Sequence, residues 1–403
     1  MLLSSTIHHI VVNGRLDIID GDGKRTTFGS GASPDFVVRL RGRGAAFRMA
    51  ANPQLAIGEA YMTGDLTLES GSLYDFLIFM AENLNKSGPS KLMKLREMAG
   101  FLTRRFMQRN VGSRSRSNVA HHYDLTEDLY GLFLDEDKQY SCAYFVESTD
   151  DLEVAQARKK RHIAAKLCLS PGLRVLDIGS GWGGLALYLA REAAVTVDGL
   201  TLSKEQLNVA VSRASKEGMS TKVRFALKDY RDKKGEYDRI VSIGMFEHVG
   251  VPFFNSYFQT ISDRLAPEGV ALVHTIGRTS GPGVTNPFIR KYIFPGGYIP
   301  AISEVLPAIE KAGLLVTDIE VLRLHYAETL KAWRDRFLQN WHKVSDLYTE
   351  EFCRMWEFYL SASEVAFRAQ GLVVWQIQIA KRQDSVPLTR DYITDYDRGG
   401  DDH

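Results

Sequence analysis

Short apolar runs alternate with amphipathic stretches along the second half of this chain, a pattern typical of an α/β fold. The apolar runs predict strands at residues 175–178, 195–200, 223–227, 237–243 and 270–276. Between them, apolar residues recur at helical spacing, most clearly at 204–216 and within 253–265. Strands that alternate with helices in this way predict a doubly wound parallel sheet.

The pattern continues toward the C-terminus. It predicts a helix at 303–312, a strand at 315–322, two long helices at 327–344 and 350–369, and a final strand at 373–379. The strand count of the sheet is then seven. The polar residues from 386 to 403 predict a mobile tail.

The first part of the chain follows a different pattern. Residues 1–85 mix short apolar pieces with glycine turns, which predicts a small N-terminal α+β domain. Lys and Arg then dominate residues 86–117 against one acid, Glu97, and apolar residues there recur at helical spacing. We interpret 86–117 as a basic amphipathic linker helix, suited to an anionic membrane surface or to a plain solvated linker. Residues 118–385, which carry the alternating pattern, form the third predicted domain.

Composition narrows the function classes. A net charge of +1 excludes a chain that is basic throughout, and no nucleic-acid partner is predicted. The 3 cysteines lie far apart, which is neither a disulfide framework nor a metal-ligand spacing. No secretory signal and no membrane-spanning apolar run is evident. We expect a cytoplasmic protein, peripheral at the inner membrane face.

The most informative segment is 174–184, with the sequence RVLDIGSGWGG. A buried strand, a glycine turn and a helix in succession form a site for a cofactor that carries adenosine, because glycines let the backbone approach the ligand. The second strand ends in Gly199-Leu-Thr-Leu rather than in the acidic residue that nicotinamide cofactors require. Asp198 lies inside that strand, and we expect it to point away.

This motif set resembles the Rossmann-like, seven-stranded methyltransferases that use S-adenosylmethionine. Further motifs follow in order: His122-Tyr-Asp-Leu, Tyr140-Ser-Cys-Ala-Tyr, Gly244-Met-Phe-Glu-His, Val273-His-Thr-Ile and His325-Tyr-Ala-Glu. Together they resemble the cyclopropane-fatty-acyl-phospholipid synthase family, which includes the mycolic acid methyltransferases. The resemblance runs from about Asn118 to Arg382.

The resemblance implies two sets of site residues. The bicarbonate site maps onto Cys142, Glu247, His274, Ile276 and Tyr326. The cofactor site maps onto Tyr140, Ser141, Val175, Asp177, Gly179, Ser180, Gly181, Gly183, Thr201, Leu202, Gln206, Asp229 and Tyr230. No metal is implied. Each residue alone has an ordinary structural explanation, such as a buried core histidine for His274, and only the conjunction favours function.

The residue types suit a ring-forming reaction. Methyl transfer to a cis alkene leaves a carbocation, and ring closure then requires a base small enough to reach it. The implied function is methylene transfer from S-adenosylmethionine to a phospholipid acyl chain, with bicarbonate as base. The implied partner is the surface of a phospholipid bilayer. The sequence does not decide between a monomer and a homodimer.

Two alternatives also stay open. A related methyltransferase would retain the methyl group, giving a branched or hydroxylated chain, or would methylate an amine. An inactive lipid-binding protein on the same scaffold is the other.

Overall fold

A computed structural model describes residues 2–42, 44–88 and 126–399, which fall into two compact units. One unit takes the described residues of Met1–Arg104, Val284–Pro295 and Leu330–Gly371; the other takes those of Arg105–Gly283, Gly296–Thr329 and Leu372–His403. Most of the basic segment 86–117, and the motif at His122, lie outside the described residues. No helix in the described part of the chain is long and apolar enough to cross a bilayer.

The bounds of the elements are as follows. The strands are β1 (Arg15–Ile19), β2 (Arg25–Gly29), β3 (Phe36–Leu40), β4 (Leu66–Leu68), β5 (Arg174–Ile178), β6 (Thr196–Thr201), β7 (Val223–Leu227), β8 (Tyr237–Ile243), β9 (Leu265–Arg278), β10 (Leu315–Leu322) and β11 (Leu372–Ala380). The helices are α1 (Leu2–Ile10), α2 (Ala45–Ala51), α3 (Pro53–Thr63), α4 (Leu73–Ser87), α5 (Glu127–Gly131), α6 (Leu152–Lys166), α7 (Gly184–Glu192), α8 (Lys204–Lys216), α9 (Phe254–Arg264), α10 (Ile302–Lys311), α11 (His325–Gln339), α12 (Trp341–Leu347), α13 (Glu350–Ala369) and α14 (Asp391–Arg398).

The first unit is built on a four-stranded sheet of order β2-β1-β3-β4. This confirms the predicted α+β character of the N-terminal region. Helix α13 packs on α3 and α4, so the unit joins segments that are far apart in sequence and cuts across the predicted division at residue 85. Gly58 on α3 lets the rings of Phe288 and Phe358 pack close to the helix backbone. A Cβ at this position would lie 2.4 Å from the Phe288 ring and 2.8 Å from that of Phe358.

The second unit contains a seven-stranded sheet of order β10-β11-β9-β8-β5-β6-β7, which confirms the predicted fold class. The strands from β5 to β9 pair in parallel, as expected for strands joined through crossover helices. Strand β11 is the exception, since it inserts between β9 and β10 and runs antiparallel to both. The carboxyl ends of β5, β6 and β8 therefore share one edge, where this fold class binds ligands.

Two predicted features differ in the structure. The helix expected at 327–344 is interrupted at Asn340, which is the N-cap residue of α12. Residues of the expected mobile tail form α14, which packs on α6 and buries Ile393 to 5% exposure. The amphipathic spacing of Tyr392, Ile393 and Tyr396 gives that helix an apolar face to bury.

Candidate active site

A cavity of about 1210 Å³, including its open mouth, lies at the carboxyl edge of the second unit's sheet. The glycine turn between β5 and α7 forms one side of it. Gly179 has φ of 88° and Gly181 has φ of 53°, a backbone region that favours glycine. The Gly179 and Ser180 N–H groups both donate to the Leu200 carbonyl, at 2.9 and 2.8 Å, which ties the turn to the neighbouring strand.

Asp177 supplies a buried carboxylate to this cavity. Its side chain is 1% exposed, and its Oδ2 atom has no hydrogen-bond partner within the described residues. Burial raises the pKa of Asp177 to about 7, because no neighbouring cation offsets the desolvation of the charge. An unpartnered buried carboxylate oxygen fits a ligand that brings an ammonium group or another cation.

The ends of β6 and β7 contribute a polar wall. The Thr201 hydroxyl donates to Gln206 Oε1 at 2.8 Å, and the Ser203 hydroxyl caps α8 by accepting from the Gln206 N–H at 3.3 Å. After β7, Asp229 accepts from the Arg231 guanidinium at 2.8 and 2.5 Å. Tyr230 packs edge-on against a neighbouring tyrosine ring, with centroids 5.4 Å apart.

The structure brings most of the predicted cofactor residues together. Lining the cavity are Tyr140, Ser141, Asp177, Gly179, Ser180, Gly181, Thr201, Leu202, Gln206, Asp229 and Tyr230. Val175 and Gly183 do not line it. Val175 is fully buried in the apolar core between the sheet and its helices. Gly183 is required for packing instead, because a Cβ there would lie 2.8 Å from the Phe225 ring.

Asp198 also falls where it was expected. It points away from the cavity, accepting from the Tyr237 hydroxyl at 2.6 Å and from Lys233 Nζ at 2.9 Å. Among the described residues that line the cavity, those at the end of β6 are Leu200, Thr201 and Leu202, and none of them is acidic.

Sequence reasoning missed several residues of the cavity wall. Lys138, Trp182, Lys228, Met245 and His248 also line it. Burial lowers the pKa of His248 to about 4, so this imidazole is neutral near pH 7. Their positions inside or beside the quoted motifs were the available signal, but nothing in the residue types distinguished them from core residues.

Glu247 and Ile276 meet directly. The Ile276 N–H donates to Glu247 Oε1 at 2.6 Å, so this backbone donor holds the carboxylate rather than facing a ligand. Glu247 Oε2 is buried with no hydrogen-bond partner in the described part of the chain. Burial raises the pKa of Glu247 to about 7, despite the Ile276 hydrogen bond. The free oxygen fits a ligand that donates a proton or a hydroxyl hydrogen.

His274 lies two residues before Ile276 on β9, so both side chains project from one face of the sheet. Its Nδ1 faces the Gln376 amide nitrogen on β11 at 3.2 Å. Burial lowers the pKa of His274 well below its usual value, so the ring is neutral. With Nδ1 accepting from Gln376, the proton sits on Nε2, which becomes a hydrogen-bond donor.

Cys142 lies in an irregular segment, residues 140–145, which we call the strip and which is held against α11. The Ala143 N–H donates to the Thr329 hydroxyl at 3.0 Å, and the Phe145 N–H donates to His325 Nδ1 at 3.0 Å. Cys142 itself is fully buried, and burial raises the pKa of its thiol. Tyr326, which is 9% exposed, follows His325 on the same helix.

The strip and the sheet edge meet at Gly244. A Cβ on Gly244 would lie 3.9 Å from Ser141 Cβ, and the Gly244 N–H donates to the His274 carbonyl at 2.9 Å. The segment that carries Cys142 and the strand that carries His274 therefore flank one residue. Thr329 and His325 bring the helix with Tyr326 to the same strip.

Tyr144, two residues after Cys142, belongs to a stack of aromatic rings. Tyr144 is stacked between His162 and His325, with ring centroids 4.2 and 4.8 Å apart. His162 in turn contacts Asp397 Oδ2 at 2.7 Å and Glu320 Oε2 at 2.6 Å, which attaches α14 to this cluster.

Phe246 directly precedes Glu247 in the chain. It is 1% exposed and packs in the apolar core against Phe254 and Phe258 of α9, with ring centroids 4.5 and 5.4 Å away. Its place is therefore structural.

The sheet order, the glycine turn and the cavity define a Rossmann-like methyltransferase. The chain belongs to the mycolic acid cyclopropane synthetase family, whose model matches residues 111–377. A second model, described as a domain of unknown function, matches residues 9–88.

Individual relatives agree with this assignment. Cyclopropane-fatty-acyl-phospholipid synthase of Escherichia coli strain K12 is 39% identical over 87% of this chain and 86% of its own length. Tuberculostearic acid methyltransferase of Mycobacterium tuberculosis is 34% identical over 93% of this chain and 89% of its own. The solved structure of mycolic acid cyclopropane synthase CmaA1, complexed with SAH and CTAB, is 34% identical with a TM-score of 0.63, covering 66% of this chain and 97% of that one.

Proposed function

We propose that this chain is a cyclopropane-fatty-acyl-phospholipid synthase. It transfers a methylene unit from S-adenosylmethionine to the cis double bond of an unsaturated phospholipid acyl chain, with bicarbonate as base. The observation that carries the proposal is Glu247 Oε2, which is buried and has no hydrogen-bond partner in the described part of the chain. The other oxygen of this carboxylate accepts from Ile276, two residues after His274 on β9, and the next residue, His248, lines the cavity. The relative of the same name covers both compact units of the chain, which supports the phospholipid substrate.

The cavity residues fit the cofactor. Asp177 Oδ2 would accept from the α-ammonium group of the methionine moiety, and the glycine turn leaves room beside it. S-adenosylmethionine supplies an electrophilic methyl group to the alkene, leaving S-adenosylhomocysteine (SAH). In a relative of known structure, SAH is present in the complex.

The catalytic residues act on the charge that methyl transfer creates. The acyl carbocation loses one proton from the new methyl group, and the freed electron pair closes the ring. Glu247 would accept a hydrogen bond from the hydroxyl group of bicarbonate, and His274 would donate from Nε2 to a bicarbonate oxygen. The Ile276 N–H keeps Glu247 in place. Cys142 and Tyr326, on the strip and helix beside them, would complete the walls of the site.

Vesicles of unsaturated phospholipid test the proposal. The protein is incubated with S-adenosylmethionine and bicarbonate, and the released fatty acids are analysed by mass spectrometry. A cyclopropane product adds CH2 and is identified by the upfield proton signals of its ring, because a methyl-branched alkene also adds CH2. A methylated alcohol adds CH4O. A saturated methyl branch adds CH4 and needs a hydride donor, so a parallel reaction contains NADPH. The match to tuberculostearic acid methyltransferase makes the branched chain the second candidate. The ring product alone supports the primary proposal.

Cys142→Ser isolates the site residue. We expect it to lose most ring formation while SAH binding, measured by calorimetry, stays near the wild-type value. Cys353→Ser is the matched control, because Cys353 is equally buried but belongs to the other compact unit. Full turnover by Cys142→Ser would exclude Cys142 from the reaction. Failure of the wild-type protein to bind SAH would favour an inactive lipid-binding protein.

A further inference from the structure

A buried lysine stands directly behind the cofactor cavity. Lys159, on α6, is 0% exposed, and its ammonium donates to Gln139 Oε1 and Ser141 Oγ, both at 2.8 Å. Both acceptors belong to residues that line the cavity. No carboxylate lies within ion-pair distance of Lys159 in the described part of the chain. Its hydrogen bonds go to neutral oxygens, and the Asp135 carboxylate favours the charge only from beyond ion-pair distance. A buried charge held in this way is costly, so its contacts with the wall need an explanation.

The ammonium group of Lys159 makes the Ser141 hydroxyl oxygen a hydrogen-bond acceptor. A lysine ammonium has donors and no acceptor, so Ser141 Oγ must accept and its own proton must point elsewhere. Within the described residues, that proton meets no acceptor. Gln139 follows the same logic: its oxygen is occupied by Lys159, and its amide nitrogen donates to Asp137 Oδ2 at 2.9 Å. Lys159 thus leaves the Ser141 hydroxyl hydrogen available to a ligand, and Ser141 lines the cavity.

The backbone of this wall is held separately. Gln156, also on α6, donates from Nε2 to the carbonyl oxygens of Ser141 and Gln139, at 3.0 and 3.3 Å. Removing the lysine charge therefore leaves the main chain attached while it frees the Ser141 hydroxyl to rotate. The two contributions, position of the strip and direction of one hydroxyl, are separable by mutation.

We propose that Lys159 is a positioning residue that holds Ser141 as a hydrogen-bond donor to a carboxylate-type oxyanion in the cavity. The inference rests on the proposed function, which supplies two such oxyanions. One is the carboxylate of the cofactor's methionine moiety, and the other is bicarbonate. Both offer the same acceptor oxygens, and binding experiments distinguish them.

Calorimetric titration with two ligands separates the sources. SAH carries the amino-acid carboxylate, whereas 5′-methylthioadenosine lacks it. If the cofactor carboxylate is bound, Lys159→Met and Ser141→Ala each weaken SAH binding by about tenfold and leave methylthioadenosine within about twofold. If bicarbonate is bound, both ligands bind normally and the apparent KM for bicarbonate rises by about tenfold. Either result supports the positioning role.

The double variant tests whether Lys159 acts through Ser141. Once Ser141 is alanine, Lys159→Met should cost little more, so the combined loss should match that of Ser141→Ala alone. Additive losses, or an equal loss of methylthioadenosine binding, would show a merely structural lysine and overturn the proposal. Wild-type behaviour of Ser141→Ala in every assay would overturn it as well, whether or not the lysine variants fold.

Controls keep the inference apart from the proposed function. Lys216→Met removes an exposed lysine at the end of α8 and should leave all affinities unchanged. Lys159→Gln keeps a donor in the same place and should recover part of the SAH affinity, and it serves if the methionine variant is unstable. If the wild-type protein binds neither SAH nor bicarbonate, the proposed function fails. If it binds them and Ser141→Ala changes nothing, only the Lys159 inference fails.

Discussion

Glu247→Gln should stabilise the ligand-free protein while it abolishes ring formation. Burial raises the pKa of Glu247 from 4.5 to about 7, so the folded state resists ionising this carboxyl. The unfolded state ionises it near pH 4.5, and wild-type stability is therefore lost as the pH rises between 4.5 and 7. The shift corresponds to about 3 kcal/mol above pH 7, since each pKa unit is about 1.4 kcal/mol.

Glutamine avoids that cost because it has no charge to bury. Its oxygen can still accept from the Ile276 N–H, so the local geometry is retained. The difference in unfolding temperature between Glu247→Gln and wild type should be small at pH 5 and reach several degrees at pH 8. Thermal unfolding monitored by circular dichroism, across this pH range without ligand, measures it.

An exposed carboxylate provides the control. The Glu268 side chain is 80% exposed, so Glu268→Gln should change stability little at any pH. A pH-independent difference for Glu247→Gln would mean that the carboxyl is not held in its neutral form. Destabilisation at pH 8 would refute the reasoning outright, because it would show that the charge is compensated in the folded protein.

Three further outcomes are expected. Asp177→Asn should weaken SAH binding by about tenfold or more in calorimetry, because the amide cannot serve as counter-charge for an ammonium group; unchanged affinity would remove Asp177 from the site. Gly183→Ala should lower the free energy of unfolding by about 1–3 kcal/mol in urea titrations, more than Gly218→Ala, which has a similar positive φ but open space around it; equal losses would exclude the packing contribution. Burial alone would lower the pKa of His162, but hydrogen bonds to its two carboxylate partners outweigh burial and raise that pKa. The attachment of α14 should therefore weaken as the pH rises above the usual histidine range. Limited proteolysis should then cut residues 382–399 faster at alkaline pH in wild type, and equally fast at all pH values in His162→Gln.

Several strand and helix bounds were predictable because apolar residues recur there at strand or helical spacing. The predicted bounds 204–216, 223–227, 237–243, 315–322 and 350–369 coincide with α8, β7, β8, β10 and α13. Strand β8 has a buried apolar run and the two helices are amphipathic, whereas β7 and β10 are the partly buried edge strands of the sheet. The direction of β11 was not predictable in this way, since the same apolar pattern serves a parallel or an antiparallel strand.

The candidate site followed the motifs, with errors where a motif was taken as a continuous block. Val175 and Gly183 belong to the glycine-loop segment, yet one fills the core and the other allows α7 to approach Phe225. The role proposed for Lys159 was missed because it arises from tertiary contacts with Gln139 and Ser141, which lie 20 and 18 residues away along the chain. On sequence alone it is one more lysine in a helix rich in basic residues.

The insertion of β11 has a consequence for biosynthesis. A ribosome delivers β9 and β10 well before the segment that separates them, so nascent chains expose the flank of β9 with its ladder of amide and carbonyl groups unpaired. His274 can gain its Gln376 neighbour only after the residues of β11 have left the ribosome. Until then, the unpaired edge of β9 in the incomplete chain can pair with other nascent chains. We expect chaperone binding to matter most at that stage.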